Sequence, residues 1–155
     1  MNKKQKSLTN KGFSLVELII VIAIMAVLVG VLAPQYIKYL DKSKISADKQ
    51  LADNLRQAIT TTMLDPEITP QPAAPTVDTP IPSSPDAFWK EVYGIMGVSN
   101  DTELKKALKY DTATISYSVD ADKNVTVTVE YADTNKAKNN FKVDKSGASS
   151  LTTTP

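Results

Sequence analysis

The stretch FSLVELIIVIAIMAVLVGVLA, residues 13–33, decides how the rest of the chain is read. From Leu18 to Ala33 every residue is apolar except Gly30. With no polar stripe, a helix of this composition needs apolar surroundings on all sides. At helical rise the stretch spans ~32 Å, about the hydrocarbon thickness of a bilayer. Before it lies a basic leader, with Lys3, Lys4, Lys6 and Lys11 and no acid in residues 1–12. These lysines favour a cytoplasmic N-terminus. One competing reading is a secretory signal peptide cut after Val31-Leu32-Ala33. Two features oppose it: Pro34 would follow the scissile bond directly, and the apolar run is longer than the roughly 7–15 residues of a signal core.

Glu17 is the one charged side chain inside this span. A charge inside a membrane helix costs ~2.5–3.5 kcal/mol on insertion scales and is a functional-site hypothesis by default. No basic residue within the span can be its partner. The plain alternative is a carboxyl group near the membrane interface, snorkelling or protonated.

The order of the surrounding residues favours the functional reading. Lys11-Gly12-Phe13-Ser14-Leu15-Val16-Glu17, placed after the basic leader and before the apolar run, resembles the type IV prepilin signature. The resemblance covers residues 1–34. It implies cleavage between Gly12 and Phe13 by a membrane prepilin peptidase, which also methylates the new Phe13 amine. The apolar helix then stays with the mature chain. It also implies that the Phe13 amine of one subunit meets the Glu17 carboxylate of its neighbour in a homo-oligomeric helical filament raised from a membrane assembly platform. Removing one partner of such a buried pair costs ~3–5 kcal/mol, so the pair would select correctly seated neighbours. Glycine before the cut leaves the backbone open to the peptidase.

Beyond Pro34 the character changes from wholly apolar to amphipathic. Ile37, Leu40, Ala47, Leu51, Leu55, Ala58, Ile59 and Met63 recur at helical spacings. No glycine or proline interrupts residues 35–64. One long helix is expected from about Phe13 to Leu64, kinked or locally unwound near Gly30 and Pro34. Residues 65–85 contain seven of the nine prolines and read as an extended connection. A PxxP match at Pro72–Pro75 is common by chance and carries little. A short helix follows Pro85, with Phe88, Val92 and Ile95 or Met96 on one side and Trp89 beside them. Asn100 and Glu103 look like a capping box opening a helix over 101–109, with Leu104 and Leu108 inward. The period then becomes two. Ala113, Ile115, Tyr117 and Val119 alternate with Thr and Ser, and Val125, Val127, Val129 and Tyr131 alternate with Thr126, Thr128 and Glu130. The turn residues 120–124 between them predict a β-hairpin, and Phe141-Lys142-Val143 supplies a third strand.

The expected fold is therefore α+β, a long N-terminal helix packed on an antiparallel sheet of about three strands. Its divisions are a leader at 1–12, an apolar helix half at 13–34 and an amphipathic half at 35–64. A Pro-rich loop at 65–85, a head at 86–147 and a polar tail at 148–155 complete it.

Composition excludes several classes of chemistry. The chain of 155 residues has no Cys and no His. It therefore lacks disulfides, thiolate nucleophiles and the commonest metal ligand and general base. No catalytic set, cofactor or metal site is assigned, and an enzyme is not expected. Net charge is +1, and without residues 1–12 the remainder has 14 basic and 17 acidic side chains. Basic residues of the head are interleaved with acids, which does not favour nucleic acid. Asp120-x-Asp122-x-Asn124 opens like an EF-hand loop, but Val125 and Tyr131 stand where Gly and Glu are needed. A hairpin turn is the better reading, with calcium left open.

The resemblance implies a structural subunit of a surface pilus serving adhesion or motility, resident in the cell membrane before assembly. A pseudopilin or competence-pilus subunit is one alternative. A membrane-anchored binding module that never polymerises is another. Many pilins of Gram-negative bacteria carry a disulfide-bounded region, so the missing Cys points mildly to a Gram-positive host.

Overall fold

The computed structural model describes residues 12–69, 71–72, 77–109, 113–132 and 139–150. The four leader lysines, Pro70, Pro75 and residues 151–155 of the expected tail lie outside them. The chain divides into two compact units, residues 1–40 and 41–155.

Helix α1, Leu15–Met63, enters both. Its assignment is continuous through Gly30 and Pro34. In the first unit every described residue is exposed, including the apolar run. Among the described residues α1 is the one helix long and apolar enough to cross a membrane.

The second unit is an α+β head. The order after α1 is β1 (Thr79–Pro80), α2 (Ala87–Met96), α3 (Asp101–Lys106), β2 (Ala113–Val119), β3 (Val125–Tyr131), β4 (Phe141–Asp144) and β5 (Gly147–Ser150). The strands form one antiparallel sheet in the order β1-β2-β3-β4-β5. Period-two patterning places Ile115, Tyr117, Val119, Val125, Val127 and Val129 inside. From α1 the core takes Ala52, Leu55, Ala58, Ile59 and Met63. Burying each large apolar side chain contributes ~1.5–3 kcal/mol, which holds this part of α1 on the sheet.

The expected hairpin is present, with Ala113 opposite Tyr131 and Val119 opposite Val125. Its turn is held by Asp120, whose Oδ1 accepts the Asn124 N–H at 2.8 Å and whose Oδ2 accepts Nδ2 at 2.7 Å. Lys123 takes the left-handed conformation there, at φ 62°. Helix α2 is capped by Asp86, which accepts the Trp89 N–H at 2.9 Å. It ends at Gly97, φ 71°, where a left-handed residue lets Val98 N–H reach the Tyr93 carbonyl at 3.0 Å. The N-cap bond expected at α3 forms, with Glu103 N–H donating to Asn100 Oδ1 at 3.0 Å. The Glu103 carboxylate accepts from Ser99 N–H, one residue before the cap.

Four details differ from the sequence reading. The sheet has five strands rather than about three. β1 arises inside the Pro-rich stretch, and Pro80 is tolerated because β1 is an edge strand. β5 uses residues expected to begin the polar tail, because Gly147 at φ 115° turns the chain back along β4. Its small polar residues carry no hydrophobic alternation to announce a strand. α3 ends at Lys106 rather than 109, although Leu104 and Leu108 are both buried. In α2, Met96 rather than Ile95 packs on the core, and Tyr93 is buried as well. Ile37, Leu40 and Ala47 share the apolar stripe of α1 but are exposed. A seven-residue strand, about 23 Å long, matches only about 15 helical residues.

Two buried polar anchors tie the connection to the head. Tyr93 Oη donates to the Pro82 carbonyl at 2.8 Å. Asp101, 3% exposed, accepts from Lys105 Nζ at 2.8 Å and Ser83 Oγ at 3.1 Å. Burial alone would raise the Asp101 carboxyl, but Lys105 and the hydroxyls of Ser83 and Thr102 bring it below the ordinary carboxylate range. A carboxyl depressed by folding adds stability above its unfolded pKa, about 3.9, and that stability is lost as pH falls through the folded value. Urea midpoints of the head should therefore fall between pH 5 and pH 2. Asp101→Asn should be less stable at pH 5 and show a shallower acid loss. Parallel acid profiles for the two proteins would refute this role.

Candidate functional site at the start of the long helix

Residues 12–17 are placed by how α1 begins. Gly12, Phe13 and Ser14 precede the helix, and Leu15 is its first residue. The Ser14 carbonyl accepts the first helical bond, from Leu18 N–H at 3.2 Å. Ser14 N–H in turn donates to Glu17 Oε2 at 2.9 Å. This is one half of a capping box, in which an acid at the third helical position reaches back to the cap residue. The negative charge also sits in the first turn, where the helix dipole favours it.

The Ser14 contact gives Glu17 a second task beside the partner that its charge calls for. The signal for its second task was present, since Ser14-Leu15-Val16-Glu17 is S-x-x-E directly before an apolar run. Asn100 and Glu103 carry the same spacing at the start of α3. In this chain the Phe13 nitrogen is still an amide. The ammonium expected to meet Glu17 requires the Gly12–Phe13 bond to be cut.

The Phe13 side chain is 94% exposed, and Gly12 beside it is exposed. A Cβ added at Gly12 would meet nothing within 4 Å, and the residue has no left-handed φ. Among the described residues nothing around position 12 therefore demands glycine. The same holds for Gly30, which is exposed on α1. Pro34, also exposed, leaves the Gly30 carbonyl without its usual helical donor.

The head offers little in comparison. Among the described residues no group of three or more metal-ligating side chains gathers. A shallow cleft between α1 and the β4–β5 hairpin is lined by Lys49, Arg56 and Lys145. Its acids are engaged locally: Asp53 pairs with Arg56 at 2.9 Å, and Asp144 accepts from Ser146 N–H at 2.8 Å. The carboxylate of Asp120 is likewise used by its own turn.

Comparison with known proteins singles out the same end of the chain. Residues 8–33 match the family described as the prokaryotic N-terminal methylation motif. The chain is 43% identical over 55 residues to a type IV major fimbrial protein FimA of Dichelobacter nodosus, covering 36% of this chain and 35% of that protein. It is 43% identical over 51 residues to a fimbrial protein of Moraxella nonliquefaciens, a third of each chain. The chain thus spans about a third of the length of the curated relatives it matches. No solved structure matches it. These relatives come from Gram-negative bacteria, so the expectation of a Gram-positive host has no support. The missing Cys is a weak guide to host, because it reports only how one head is stabilised.

Proposed function

We infer from the type IV pilin segment at the start of this chain that the protein is a structural subunit of a type IV pilus. One conjunction carries the reading: an exposed Gly12–Phe13 bond outside any helix, Glu17 in the first helical turn, and an apolar helix that its own chain leaves uncovered. Before assembly that helix lies in the cell membrane with the lysine-rich leader on the cytoplasmic side. A prepilin peptidase cuts after Gly12 and methylates the Phe13 amine. The head occupies the outer side, and an assembly platform moves subunits into a surface filament. There the helices of neighbouring copies replace lipid around residues 13–34, while the amphipathic half from residue 35 carries the head. The work done is assembly, without catalysis.

Glycine at positions 12 and 30 is explained by outside partners, since neither has a crowded neighbour among the described residues. At Gly12 the partner is the peptidase, which needs close access to the backbone. At Gly30 it is a neighbouring helix, and the missing donor at Pro34 makes this turn the place where α1 bends. The names of the relatives, major fimbrial protein and fimbrial protein, favour a pilus subunit over a secretion pseudopilin.

Intact mass of the subunit extracted from membranes or sheared filaments tests the reading. The expected species lacks residues 1–12 and carries one added methyl group on Phe13. A chain beginning at Pro34, or one retaining the leader in the filament, would overturn it.

A further inference from the structure

The head grips α1 through a residue that neither the processing nor the assembly of the N-terminal segment uses. Lys109 follows α3 and reaches α1 at two points seven residues apart. Its backbone N–H donates to both oxygens of Asp48, at 2.9 and 3.2 Å. Its Nζ pairs with Asp41 Oδ1 at 2.7 Å. Seven residues are two helical turns, so Asp41 and Asp48 lie on one face of α1.

The two grips differ in kind. Asp48 is 2% exposed and also accepts from Tyr131 Oη, on β3, at 2.5 Å. A buried carboxylate with these donors is fixed, because withdrawing any of them would leave a costly vacancy. The Lys109 side chain is 6% exposed, whereas that of Asp41 is 60% exposed. This outer grip is therefore open to solvent and is the weaker of the two. Between Asp41 and Asp48 only Ile45 is even partly buried. On the N-terminal side, residues 35–40 are all exposed, and Pro34 removes a helical donor.

We propose that Lys109 is a latch that sets where α1 becomes part of the head. With Nζ on Asp41, the helix is held from residue 41. With that pair broken, the hold on residues 41–47 loosens, and Asp48 is the next buried anchor. If α1 unwinds from Pro34 when a filament is stretched, the latch limits how far the opening runs. That consequence rests on the pilus-subunit reading, whereas the latch does not.

Hydrogen exchange read by mass spectrometry on the full chain in detergent micelles tests the latch apart from assembly. Lys109→Met keeps the stem and the backbone bonds to Asp48 but removes the cation. Asp41→Asn removes the other charge at an exposed site and keeps an oxygen that can accept from Nζ. Each should speed exchange of amides 41–47 by roughly two- to fivefold and leave amides 52–63 unchanged. Lys109→Arg should retain most of the protection. Unchanged exchange at 41–47 in both single variants would overturn the latch, as would an equal rise throughout the head. Failure of filaments to form in cells, with the exchange pattern as expected, would count against the subunit reading alone.

Discussion

Glu17→Val should be cut normally after Gly12 and insert at least as well as the parent, yet fail to build filaments. The substitution removes a charge that is costly in the bilayer, so residence in the membrane should improve. In the filament each Phe13 amine would lack its carboxylate, at a cost of ~3–5 kcal/mol per subunit. That corresponds to more than about a hundredfold in the equilibrium for adding a subunit. Because Glu17 also accepts the Ser14 N–H, valine removes a helix cap as well. Glu17→Gln separates the two effects. Its amide oxygen can still accept from Ser14, but it carries no charge to meet an ammonium. Charge pairing predicts that both variants lose filaments, whereas capping alone predicts that the glutamine variant keeps them. Sheared filament yield should be measured alongside subunit expression and intact mass. Parental yield from Glu17→Gln would sink the pairing and leave Glu17 as a helix cap.

Phe88→Ala should bring the head close to unfolding. Phe88 is 1% exposed and meets Trp89 edge-on at 5.8 Å. Trp89 in turn contacts Tyr93 at 5.6 Å and Tyr117 at 5.1 Å, which joins α2 to β2. Truncating a buried Phe costs ~3–5 kcal/mol in transfer and cavity energy. A domain has only ~5–15 kcal/mol to lose. Trp89 is the sole tryptophan and remains in this variant, so its fluorescence reports unfolding directly. In a fragment comprising residues 37–155 the urea midpoint should fall by about 1–3 M. Ile95→Ala, at a side chain 49% exposed on the same helix, should move it far less. Equal shifts from the two variants would show that the aromatic cluster is not the keystone of the head.

Local signals announced much of this molecule. The apolar run of residues 18–33 needs no partner in the chain to be recognised, because its length and uniformity already match a bilayer. Asn100 with Glu103, and the turn at 120–124, are likewise short-range chemistry, and both take the expected form. The alternation in 113–119 and 125–131 identifies strands because one face of each is buried. The Ser14–Glu17 capping bond was equally legible and was missed only because a rarer feature occupied the same residue.

Other features had no local mark. β1 is two residues of a proline-rich stretch and becomes a strand only by pairing with Tyr117 and Ser116. β5 is small and polar, and β4 alone gives it a partner. No local feature of the sequence marks Asp48 for burial. Folding buries it under donors 61 and 83 residues away. An amphipathic pattern says which face of a helix is apolar, but how far that face is covered depends on the length of the sheet laid against it. Residue identity and spacing thus determined the membrane-like helix, its start and the strand-forming segments, all of which depend on neighbours a few positions apart. The edges of the sheet, the extent of α1 that the head holds and the burial of Asp48 waited on tertiary structure, because their partners are distant in the chain and meet only when it folds.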